Sequence, residues 1–182
     1  MTRTGTVAGL FDLAIAAEKA AAQFYEGLSR AFRAEPAVAA CWKGLMADEL
    51  LHAEQLSRVL AELPESVCAA DADPGEYERT AENLRRFSLL LNVRYIRHLE
   101  DAYDIAYELE YSEVNQVFRG LLSDYAPHPS EPDFALNLIR DHAGRLEELL
   151  RTSGGPERMR SILPDFEGNQ RGTVELSLPV TE

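Results

Sequence analysis

The sequence predicts an all-α chain: an antiparallel four-helix bundle with one long crossover and an irregular C-terminal extension. Three observations predict it. Apolar residues recur at three- and four-residue steps from about Val7 to Leu150, the spacing of buried helical faces. Proline-bearing breaks divide this stretch into four long segments. Two of the joints are short and the middle one is long, which matches a bundle with a single crossover. The bundle is expected over residues 7–152 and the extension over 153–182.

The first helix is read from Leu10, Ala14, Ala17, Ala21, Phe24, Leu28 and Ala31 on one face. Glu35-Pro36 ends it, because proline disfavours helix in the preceding residue and suits the first turn of a new helix. The second carries Val38, Trp42, Leu45, Glu49, His52, Leu56, Val59 and Leu63, and Pro64 closes it. Residues 64 to about 91 form the connection, with a turn at Pro74-Gly75 and a short helix expected over Glu76–Phe87. The third places Val93, Ile96, Glu100, Tyr103, Tyr107, Val114, Phe118 and Leu121 on a common face. After the break at Pro127–Pro132, Ser130 caps the fourth helix, Pro132 enters its first turn and Asp133 completes a capping box. That helix uses Ala135, Leu138, His142, Leu146 and Leu149 and stops before Gly154-Gly155-Pro156. The tail alternates Val174, Leu176, Leu178 and Val180 with other residues, an extended pattern. It reads as a loosely packed terminus or as a segment that docks on a partner.

Composition narrows the function. The 182 residues include 46% hydrophobic and 27% charged, an ordinary globular balance. A net charge of −13 disfavours nucleic-acid and anionic-membrane partners, both of which call for a basic surface. No run of about 18 uncharged apolar residues suggests a membrane span. The two cysteines, Cys41 and Cys68, form no C-x-x-C pair. Sulfur-ligated zinc and iron–sulfur chemistry are therefore excluded, and free thiols in a reducing, cytoplasmic compartment are expected.

The chemistry lies where polar residues interrupt the apolar stripes. Glu18, Glu49, His52, Glu100 and His142 fall on or beside the expected buried faces. A buried carboxylate persists only when paired, hydrogen-bonded or bound to a cation. Glu49 and His52 are three residues apart, so they differ by about 60° in direction and address the same space. Oxygen and imidazole donors suit Fe(II) or Mn(II). The bland alternative for Glu49-x-x-His52 is a surface pair, and for Glu18 and Glu100 a buried ion pair. His142 reads equally as a ligand or a hydrogen-bonded core histidine. The first and third helices also align, Glu18…Tyr25 over Glu100…Tyr107, and the second and fourth share Asp48/Asp141 and Glu54/Glu147 in register.

Four motifs in this order, A-E-K-A-A-A-Q-F-Y at 17–25, D-E-L-L-H-A-E at 48–54, L-E-D-A-Y-D-I-A-Y at 99–107 and D-H-A-G-R-L-E-E-L at 141–149, resemble the rubrerythrin-like branch of the ferritin-like superfamily. The resemblance covers roughly residues 7–152. It implies an iron or manganese oxidase or peroxidase, an oxidoreductase acting on Fe(II), O2 or peroxide, assembled as a homodimer or higher homo-oligomer. Its ligands would be Glu18, Glu49, His52 and Glu100, with His142 as a weaker fifth. Asp48 and Asp141 would orient the imidazoles, and Tyr25 and Tyr107 would stand near the metal. The chain departs from the family pattern at the second Glu-x-x-His, where His142 and Arg145 stand, and it lacks the cysteine-bearing rubredoxin-like module. Arginine stays protonated, so Arg145 disfavours a second cation and points to a reduced, mononuclear site. The alternative is a metal-free scaffold or partner-binding bundle whose core carboxylates pair with Arg145 and His142.

Overall fold

A computed structural model of the protein describes residues 5–90, 96, 98–110, 113–126, 144–146 and 148. The described chain is mostly helical. Six helices are seen: α1 (Val7–Ala31), α2 (Pro36–Glu62), α3 (Glu65–Cys68), α4 (Pro74–Leu90), α5 (Leu99–Glu110) and α6 (Glu113–Tyr125). Gly144, Arg145 and Leu146 are helical too. The break at Pro127–Pro132, the Ser130 cap, most of the expected fourth helix and the tail lie outside the described residues.

Local chemistry explains the boundaries. Thr6 caps α1, its Oγ1 accepting from the Gly9 N–H at 3.1 Å. Gly5, at φ +80°, turns the chain into that cap. There an isolated bridge joins Thr6 and Asp71. The Val7 N–H donates to the Ala70 carbonyl at 2.9 Å and the Ala72 N–H to that of Gly5 at 2.9 Å. Pro36 opens α2 at its first position as expected. Leu63, ahead of Pro64, is extended at φ −70° and ψ 140° and closes it.

The connection corrects one expectation. Pro74-Gly75 is no turn before a helix but the first turn of α4, which runs longer than Glu76–Phe87. Asp73 supplies the reason: its Oδ1 accepts from the Glu76 N–H at 2.8 Å, capping a helix whose first residue is a proline with no N–H to satisfy. At the start of α5 the Asp101 carboxylate reaches back to the His98 N–H at 3.1 Å, half of a capping box.

Two apolar clusters hold these helices together. The first combines Phe24, Tyr25 and Leu28 from late α1 with Val38, Trp42 and Leu45 from early α2, and adds Ala102, Tyr103, Ala106 and Leu109 from α5 with Leu146. The second combines Val7, Leu10, Phe11 and Ala14 from early α1 with Leu56 and Val59 from late α2, and adds Val117, Phe118, Leu121 and Leu122 from α6. Each fully buried Leu or Phe contributes roughly 1.5–3 kcal/mol. The membership also fixes direction: α1 and α2 are antiparallel, and the order α5 then α6 follows the sense of α2. Meanwhile α4 packs against α1 and α6.

The expected third helix is seen as α5 and α6; Tyr103, Phe118 and Leu121 of its expected face are buried, but the face is shifted in α5. Ala102, Tyr103, Ala106 and Leu109 face inward, whereas Glu100 is exposed and Tyr107 half-buried. Cys41 and Cys68 are free thiols. No helix among the described residues is long and apolar enough to cross a membrane.

Candidate metal centre

Between the two apolar clusters, α1 and α2 place three polar side chains in the interior. Glu18 is 1% exposed, Glu49 4% and His52 0%. On α1, Ala14, Ala17, Ala21 and Ala22 are buried around Glu18 and leave space for a carboxylate between the helices. On α2, Leu45 and Leu56 bracket Glu49 and His52 one turn to either side, so the face that packs the core also carries the polar pair.

The three groups converge on one imidazole nitrogen. His52 Nδ1 lies 3.0 Å from Glu49 Oε2 and 3.4 Å from Glu18 Oε2. Ionised carboxylates only accept, so without a metal Nδ1 carries a proton and donates to both. Burial pulls the imidazole pKa down, but the hydrogen bonds and negative charges of Glu18 and Glu49 outweigh it and raise the value to about 9. One donor atom from each residue falls within 4.8 Å of the other two, close enough for one ion to reach all three. Glu18 Oε1 is buried and has no hydrogen-bond partner among the described residues. Two carboxylates and one imidazolium carry a net charge of −1. Replacing the proton by a divalent cation brings the cluster to zero, so donor set and charge both fit a divalent ion.

Apolar rings stand close by. Phe118 of α6, fully buried, lies with its ring centroid 4.5 Å from that of His52 at an interplanar angle of 32°. Farther off, Tyr25 stacks on Trp42 at 6.0 Å and 8°, and Trp42 meets Tyr103 at 5.5 Å and 53°. Tyr25 and Trp42 are each seven residues from a triad carboxylate, so this aromatic layer stands about 10 Å away along the helix axes.

The other expected residues are placed differently. Glu100 is exposed in the first turn of α5 and is not brought to the triad. Its helix face explains this: the buried residues of α5, Ala102, Tyr103, Ala106 and Leu109, pack with the Trp42 cluster, and Glu100 lies on the exposed side. Tyr107 is half-buried on α5, where burial raises its hydroxyl pKa. Asp48 pairs with Arg145, Oδ2 to Nη1 at 2.7 Å, on the flank of α2. The ion pair seen for Arg145 is thus with Asp48, on an arginine side chain that is 43% exposed. Its guanidinium lies over Gly44, where a Cβ would come within 2.7 Å of Nη1. The Cys41 thiol donates to the Arg145 carbonyl at 3.7 Å. Burial pushes that thiol's pKa up to about 11, against the lowering influence of Arg145. His142 and Asp141 lie outside the described residues.

Sequence reading missed three features of this neighbourhood. Phe118 was legible as core but not as the neighbour of His52, because register along one helix says nothing about depth on another. Gln55, 5% exposed and three residues past His52, continues the polar column; its spacing from His52 was the available signal. The Asp48–Arg145 pair spans 97 positions and had no local signature. No family model matches the chain, and neither a curated protein nor a solved structure is matched by it.

Proposed function

We propose that this chain is a ferritin-like protein of the rubrerythrin-related kind that binds one Fe(II) or Mn(II) through Glu18, Glu49 and His52 Nδ1. The observation that carries the reading is the buried charge: among the described residues, two carboxylates are enclosed with one imidazole. Removing an ion from water costs several kcal/mol, and one proton offsets only half of the negative charge here. The two carboxylates would neutralise a divalent cation, and His52 would add the nitrogen donor that favours a transition metal over Mg(II) or Ca(II). The sense of α5 and α6 relative to α2, with α4 lying across α1 and α6, supports a four-helix bundle with one crossover. A bound Fe(II) or Mn(II) would supply a one-electron reductant toward O2 or peroxide. Around it, the apolar clusters exclude bulk water and Arg145 stays engaged with Asp48.

The test is metal content. Stripped protein reconstituted with Fe(II) or Mn(II) should retain about one ion per chain, and Glu49→Ala should abolish retention. Less than about a tenth of an equivalent at saturation would overturn the reading.

A second reading is favoured by the His52 imidazolium, which already satisfies much of the cluster as a proton-linked structural unit. In that case the bundle is a metal-free scaffold, with His52 rather than Arg145 as the partner of the carboxylates. A melting temperature that neither rises with metal nor falls with chelator would select it.

A further inference from the structure

On the metal-centre reading, we propose that Phe118 is a positioning residue for His52, fixing the imidazole plane so that Nδ1 keeps facing Glu18 and Glu49 when a cation replaces the proton. In the proton-bound state the hydrogen bonds on the Nδ1 edge, at 3.0 and 3.4 Å, help to orient the ring. Both are given up when Nδ1 turns its lone pair to a metal, because the proton they share is gone. Contact against the faces of the ring still resists its rotation, and the Phe118 ring stands there, its centroid 4.5 Å from that of the imidazole and its plane at 32°. Phe118 is itself fully buried in the cluster formed by Leu56, Val59, Val117, Leu121 and Leu122, so it has little room to follow a rotating imidazole. The ring also closes that side of the centre to water, which strengthens electrostatic attraction between the carboxylates and a cation. Outer groups that orient a metal-binding histidine are usually hydrogen-bonding carboxylates or carbonyls; in this arrangement part of the task falls to an aromatic contact from another helix.

The experiment compares Phe118→Leu, which removes the ring, with Phe118→Tyr, which keeps it, and Leu122→Ala, which loosens the same cluster away from His52. Phe118→Met keeps more of the volume and replaces the Leu variant if that one does not fold. Mn(II) titrations are followed by electron paramagnetic resonance, and the His52 imidazole of metal-free protein by nitrogen-15 NMR. Phe118→Leu should weaken Mn(II) binding by about tenfold, in the range seen when groups orienting a ligand are lost. It should also speed exchange of the Nδ1 proton. Phe118→Tyr should stay within about threefold of wild type, and Leu122→Ala should be destabilised without that loss of affinity. Wild-type Mn(II) affinity and an unchanged His52 resonance in Phe118→Leu would overturn the positioning role. Failure of the wild-type protein itself to take up Mn(II) would overturn the metal reading instead.

Discussion

The α1–α2 hairpin and the α5–α6 pair were read from the same kind of pattern, yet only the hairpin turns its expected glutamates inward. Glu18 and Glu49 are buried beside His52, while Glu100 is exposed on α5. In the hairpin each polar residue interrupts a long apolar stripe, so the neighbours one turn before and after fix its direction. In α5 the apolar residues admit two faces. One runs toward Glu100 and Tyr107, and the other, through Ala102, Tyr103 and Ala106, is the one that packs. Alanines carry little weight in a hydropathy pattern, but they let helices approach closely and so decide which face turns inward.

The strongest way to break this comparison is to remove a carboxylate from the hairpin. Glu49→Ala removes the closer partner of His52 and leaves the imidazolium with Glu18 as a charge-balanced buried pair, so the metal-free protein should lose about 1.5–3 kcal/mol, the contribution of a hydrogen bond between charged groups. Urea unfolding of the metal-free protein should register that loss, and Mn(II) uptake should disappear. A variant as stable as wild type would mean that the 3.0 Å contact to His52 carries no stability.

Proton linkage sharpens it next. The His52 pKa rises from 6.5 to about 9 on folding, so the folded chain holds the proton more tightly than the unfolded one. The associated stability is fully present below pH 6.5 and is lost as pH rises toward about 9. Metal-free wild type should therefore show a urea midpoint that falls across this window by more than that of His52→Gln. Equal slopes in the two proteins would remove the imidazolium from the account.

How much was legible follows from physical scale. Periodicity and proline chemistry are local, so the bounds of α1 and the start of α2 are readable in the sequence, and so are Glu18, Glu49 and His52 as polar interruptions of apolar stripes. Distance between helices is not local. The Phe118 ring over His52 and the Asp48–Arg145 pair depend on how far each helix slides along its neighbours, which no single stripe encodes. The Pro74-Gly75 reading failed for a subtler reason: the same dipeptide suits a turn or a first helical turn, and Asp73 decides between them.

The Asp48–Arg145 pair separates charge that supports packing from charge that defines the centre. With the Arg145 side chain 43% exposed, solvent screens the pair, and Arg145→Leu should cost no more than about 1 kcal/mol. Mn(II) affinity should stay at the wild-type value, since the ion pair seen for the guanidinium is with Asp48. A tenfold change in affinity would place Arg145 in the metal centre after all.

The smallest expected effect is the most discriminating for the likeness between the two halves of the chain. If α5 contributed to the centre at Glu100, as Glu18 does on α1, then Glu100→Ala would weaken Mn(II) binding about as much as Glu18→Ala. The structure instead places Glu100 in solvent at the start of α5, in the first turn, where its charge interacts favourably with the helix dipole. Its removal should cost no more than about 0.5 kcal/mol and leave Mn(II) affinity unchanged. Measured side by side, Glu18→Ala and Glu100→Ala ask whether equivalence in sequence register survives as equivalence in space. A large loss in both would show that α5 turns Glu100 inward when metal binds, whereas a loss confined to Glu18→Ala would leave the centre to the hairpin.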